Sequence, residues 1–151
     1  MKKKKLIPIV LILVVLAVAG FFLLGDSGTL GTSRAYTASN FEQMNSDISW
    51  SVRFDKFNGY YEHSFTCQED GYPYVFYFIK QGDIDNIVAS VRTKDGGGEL
   101  FDADDAFISL EIPPKKGDTV ILRFECDNAD YSVITFAWGK EVQEHYETNL
   151  S

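Results

Sequence analysis

The chain has little with which to do chemistry. Only two cysteines and two histidines occur in 151 residues. No CxxC pair and no zinc-ligand spacing is present. No lipobox cysteine closes the N-terminal apolar stretch, so a cysteine-linked lipid anchor is excluded. GxSxG, HExxH and a nucleotide-binding glycine loop are all missing. His63 and His145 lie far apart: His63 sits on an apolar strand face and reads as a satisfied core residue, and His145 sits in the polar tail. The chain therefore reads as non-enzymatic and free of cofactors. A hydrolase built from residues scattered along the chain is the one arrangement such motifs do not address.

Basic residues are also scarce. Four of the 14 lysines and arginines are Lys2–Lys5, which leaves ten against 22 acidic residues in the remainder, a net charge of −12. Nucleic-acid binding needs a basic face, so this charge argues against it, and likewise against direct adsorption to anionic lipid.

Charge is absent altogether from Leu6 to Gly25. As a helix, 20 residues span about 30 Å, the thickness of a bilayer's hydrocarbon core. Pro8 falls in the first turn, where proline costs least. The lysines mark the cytoplasmic side, so residues 1–5 read as a cytoplasmic tail and 6–25 as a transmembrane signal anchor. Ala17-Val18-Ala19 resembles a signal-peptidase site, and cleavage after Ala19 would give a secreted protein. The apolar run continues through Phe21, Phe22, Leu23 and Leu24, which favours retention in the membrane.

Beyond the anchor, residues 26–47 read as a Gly/Ser/Thr-rich linker, with Ser39 or Asn40 capping a short helical turn over 41–44. From Ile48 the hydrophobic period becomes two. Ile48, Trp50, Val52 and Phe54 mark one strand face. Asn58-Gly59 marks a turn, and Tyr61, His63, Phe65 and Cys67 mark a second face. "YVFYFIK" (74–80) is apolar on both faces. Further faces follow at Ile87–Val91, Ile108–Ile112, Val120–Cys126 and Ile134–Trp138, with a "DGGG" turn at 95–98. The pattern predicts about seven strands over residues 48–140, an antiparallel β-sandwich, and then a polar tail at 141–151.

The segments "FNGYYEHSFTCQEDGYPYVFYFIKQGDIDNIVASVRTKDG" and "FISLEIPPKKGDTVILRFECDNADYSVITFAW" resemble small exported bacterial proteins, mostly of Gram-positive type. In these, a jelly-roll-like β-sandwich follows a signal or lipid anchor. The pattern is also similar to the pre-peptidase C-terminal accessory domain. The resemblance covers residues 48–140 and implies a fold, but it transfers no catalytic residues. Cys67 and Cys126 depart from the pattern.

Three sets of residues are candidates for a role. Asp102, Asp104 and Asp105, in "ELFDADDAF", are oxygen ligands suited to calcium, with a solvated acidic loop as the alternative. Tyr60, Tyr72 and Tyr74 are aromatics that could stack on a ligand such as a sugar; Trp50 and Trp138 fall on core faces. Cys67 and Cys126 form either a disulfide, which export permits, or two buried free thiols. Taken together, the expectation is a membrane-anchored, extracytoplasmic, non-catalytic module that binds a protein or envelope component. The alternatives are a carbohydrate-binding or enzyme-accessory module and a structural subunit of a membrane complex.

Overall fold

The computed structural model describes residues 34–150. The cytoplasmic tail, the apolar segment and the first part of the linker lie outside the described residues. Within them no helix is long and apolar enough to cross a membrane. The elements are β1 (Arg34–Ser39), β2 (Glu42–Asn45), β3 (Ser49–Thr66), β4 (Val75–Thr93), β5 (Gly96–Phe101), β6 (Asp105–Ser109), β7 (Thr119–Ala137) and α1 (Lys140–Leu150). All strand pairings are antiparallel.

Three strands, β3, β4 and β7, are 18 or 19 residues long and lie side by side in the order β3-β7-β4. Each breaks its regular path in the middle. Gly59 in β3, Gly82 and Asn86 in β4, and Asn128 and Tyr131 in β7 all have positive φ. The register shifts at the same level, between Phe57 and Gly59 and between Gln81 and Val88. Such bulges bend a strand and sharpen its twist.

Here the bend doubles the sheet over. Trp50 and Tyr61 lie eleven positions apart in β3, about 36 Å in a straight strand at roughly 3.3 Å per residue. Their rings stack with centroids 6.0 Å apart. Trp50 pairs with Phe136 in register yet also meets Phe124, 5.9 Å away, from the other half of β7. One sheet thus supplies both layers of a sandwich. The first layer runs β2, start of β3, end of β7, start of β4, β6; the second runs β1, end of β3, start of β7, end of β4, β5.

The core between the layers is aromatic. Trp50, Phe54, Phe57, Tyr61, Phe76, Phe78, Phe124 and Phe136 are each at most 1% exposed. Their neighbouring rings mostly meet in stacked or tilted pairs, which add to the burial energy. The outer face of the first layer is covered by α1, whose Val142 and Tyr146 join Val75, Tyr77, Ile79, Ala137 and Phe107 in a second, smaller core.

Several expectations need correction. Residues 34–45, read as linker with a helical turn, form β1 and β2. Their strand state comes from tertiary contacts: Phe41 packs on Tyr61, and Gln43 is buried, accepting a bond from the Trp50 indole at 3.4 Å. All three glycines of "DGGG" lie in β5, and at Gly97 a side chain would put its Cβ 2.4 Å from the Val91 carbonyl oxygen. The polar tail folds as α1. Two apolar residues spaced by four are enough to seat it, since the outer layer face they cover is already apolar.

Candidate functional site

The strands have a bent end and an open end. At the open end lies a groove of about 310 Å³, bordered by the turn before β3, the end of β3, the segment after it and Trp138. Strand alternation sends His63 and Phe65 of β3 to the core side, where they line it. Trp138, one residue past β7, is fixed by its backbone N–H, which donates to the Ile48 carbonyl at 2.8 Å. Its ring stacks on Phe65, with centroids 4.7 Å apart and planes 10° apart. Tyr72 and Asp47 stand at the rim.

His63 is the unusual member. Its ring stacks on Trp50, 5.2 Å between centroids. Its Nδ1 is buried without a hydrogen-bond partner. Burial lowers its pKa from 6.5 to about 4, so the ring is neutral at physiological pH. The sequence suggested a satisfied core histidine; the ring does pack in the core, but one nitrogen is left unpaired. An unpaired buried polar atom costs stability, on the order of 1–3 kcal/mol, unless something supplies its partner. Cys67, at the base of the groove, is anchored through its backbone: its N–H donates to Asp118 O at 2.8 Å, and its carbonyl accepts from Gly117 at 2.9 Å. Burial, then the Asp118 charge, pushes its thiol pKa up, so it is held protonated and unreactive.

The three candidate tyrosines do not form one platform. Tyr72 lines the groove, its pKa raised by burial and then by Glu69. Tyr74 donates to Glu147 of α1 at 2.7 Å, and that bond, followed by burial, pushes its pKa up to about 12. Tyr60 is covered by the Arg123 guanidinium, 3.8 Å above its ring, on the outer face of the second layer. Trp50 and Trp138 are core residues, 1% and 5% exposed.

The acidic candidates also diverge. Asp104 pairs with Lys80 at 3.2 Å, and Asp105 accepts from the Tyr77 hydroxyl. Asp102 turns the chain with φ 51° and donates its N–H to Ile87 O at 2.8 Å. Among the described residues no three His, Cys, Asp or Glu side chains converge as a metal group. Cys67 and Cys126 are free thiols. Register explains why they do not pair: Cys67 follows Thr66, which faces Thr119, whereas Cys126 faces Gly59. Seven residues of β7 separate the two levels, roughly 23 Å, against the 7 Å that a disulfide allows. His145 lies on α1.

No family model and no curated protein matches the chain. Among solved structures, the chain is similar to the enzymatically active domain of tailspike protein 4 of bacteriophage CBA120. The TM-score is 0.38 at 11% identity, over 72% of this chain and 19% of that one. A likeness at that level carries no functional argument.

Proposed function

We propose that this chain is a membrane-tethered, extracytoplasmic, non-catalytic binding module for a protein or envelope component, and that the open-end groove receives its ligand. The carrying observation is the concave groove walled by Phe65, Tyr72 and Trp138, with His63 in its lining and polar residues such as Asp47 and Gln68 around it. Largely apolar walls with a few polar groups are what a specific binding site offers. Leu6–Gly25 and its lysine flank support the tether. The resemblance over residues 48–140 supports reading the doubled sheet as the jelly-roll-like module of exported bacterial proteins.

The test is photocrosslinking in intact membranes of the native host. A crosslinking amino acid at Gln68, an exposed groove residue, is expected to trap one discrete component, and Tyr72→Ala to abolish the adduct. The reading fails if Gln68 traps nothing, or traps the same material as a crosslinker at exposed Phe101, beside the bend.

A further inference from the structure

The bent end carries a feature that the open-end groove does not explain. Tyr131 is 75% exposed, yet its backbone is left-handed, φ 42°. That conformation is a genuine outlier for a bulky residue. The fold holds it there from both sides. Ser132, 2% exposed, donates its hydroxyl to the Asp130 carbonyl at 2.7 Å. Gly82 of β4 presses so close that a Cβ on it would sit 2.5 Å from the Tyr131 carbonyl oxygen. Strain of this kind persists where the surroundings over-determine it, and it concentrates at working sites. An exposed phenol ring repays no such strain by burial, since most of its surface stays in water.

Beside Tyr131 runs a groove of about 470 Å³ that includes Asn40, Glu42, Arg53 and Asp55. Its polar groups are already ordered in pairs: Asn40 Nδ2 donates to Asp55 at 2.5 Å, and Arg53 to Glu42 at 2.5 Å. The carboxylates of Asp55 and Glu42 each offer about four lone-pair sites and the Asn40 amide two N–H groups. Preordered donor–acceptor pairs next to an exposed aromatic ring suit one class of ligand. Vicinal hydroxyls bond to the pairs while a pyranose C–H face stacks on the ring. The local charge selects further within that class. Asp55, Asp83, Asp85, Asp127 and Asp130 outnumber Arg53 and Lys56 around the bend, and the surplus negative charge disfavours an anionic sugar.

We propose that the bent end, with Tyr131 as its stacking ring and the Asn40–Asp55 and Arg53–Glu42 pairs as its polar contacts, binds a neutral saccharide. This site lies at the opposite end of the strands from the Tyr72 groove and does not depend on it.

The test uses the full-length chain in detergent micelles on an array of neutral and anionic oligosaccharides, followed by calorimetric titration of those retained. Neutral glycans are expected to bind. Tyr131→Phe is expected to stay within about twofold of wild type, and Tyr131→Asn to weaken binding at least tenfold. Asparagine tolerates left-handed backbone, so Tyr131→Asn should unfold at the same temperature as wild type or higher, which separates lost binding from lost folding. Ile112→Ala, at the other end, should change nothing. The proposal is overturned if no glycan is retained, if only anionic glycans are, or if Tyr131→Asn binds like wild type. None of these outcomes touches the crosslinking test at Gln68, so the two sites stand or fall separately.

Discussion

At the scale of single residues, His63 makes the sharpest demand on solution conditions. Its folded pKa of about 4 lies below the ordinary 6.5, because burial against Trp50 penalises the charged ring. Between those values the unfolded chain holds a proton that the folded chain does not. Stability therefore falls as pH drops through 6.5, and this loss is complete below about 4. At 1.36 kcal/mol per pKa unit the ceiling is roughly 3 kcal/mol. The ring is partly open to the groove, and solvent screening reduces the effect to about 1–2 kcal/mol. Carboxylates add their own acid dependence, so the test is differential. Urea unfolding of wild type and His63→Phe at pH 7 and pH 4.5 should show the variant losing less stability on acidification by that margin. Equal losses would mean that the ring is not desolvated as described.

Helix α1 makes the corresponding case among the elements. Its seat consists of Val142, 6% exposed, and Tyr146 against the outer face of the first layer. Val142→Asp would bury a carboxylate among Val75, Tyr77 and Ala137, costing about 3 kcal/mol. An acid near a helix start gains only about 0.5 kcal/mol in return. Thermal unfolding should show that loss for Val142→Asp and almost none for exposed Glu141→Ala. If both variants melt alike, the helix does not dock. This same seat shows why α1 was illegible: "KEVQEHYETNL" is polar on its own, and only the sheet face it meets makes two apolar residues sufficient. The strands teach a related lesson. The expected count of seven agrees with the observed seven, but the members differ. Six expected segments fuse in pairs into β3, β4 and β7, one becomes β6, and β1, β2 and β5 were not anticipated. Asn58-Gly59 reads as a turn between two strands because local turn chemistry is the same whether the chain reverses to pair with itself or bends within a longer strand. Only the pairing of both halves with β7 distinguishes the two. The core faces were legible, since alternation survives the bend: Trp50, Val52, Phe54, Tyr61, Val120, Leu122, Phe124, Ile134 and Phe136 are all buried. The site was less so. Tyr72 was marked, but Tyr131, in "DNADYSV", sits among polar residues and draws notice only once its backbone is seen.

Across the whole molecule, the direction of β1 orients the two ends relative to a tether. Arg34 faces Tyr61 and Ser39 faces Lys56, so β1 runs toward the bend. Residues 26–33 reach at most about 28 Å when fully extended. With an anchor retained at 6–25, we expect the open-end groove to lie nearer the bilayer than Tyr131. A groove near the headgroups suits a partner within the envelope, whereas the far end meets whatever lies outside. Two measurements check this in turn. The mass of the mature chain from membranes should retain Met1 or Lys2; a chain beginning at Gly20 would make the protein secreted and remove the tether. With the anchor in place, a fluorophore on Gln68→Cys should then be quenched by a headgroup-borne quencher more strongly than one on Asn128→Cys. The native thiols of Cys67 and Cys126 are buried, 2% and 1% exposed, and stay unlabelled in the folded protein. Reversed quenching would mean that the bend faces the membrane and the saccharide site takes its ligand from the bilayer surface; equal quenching would mean that neither end is held nearer.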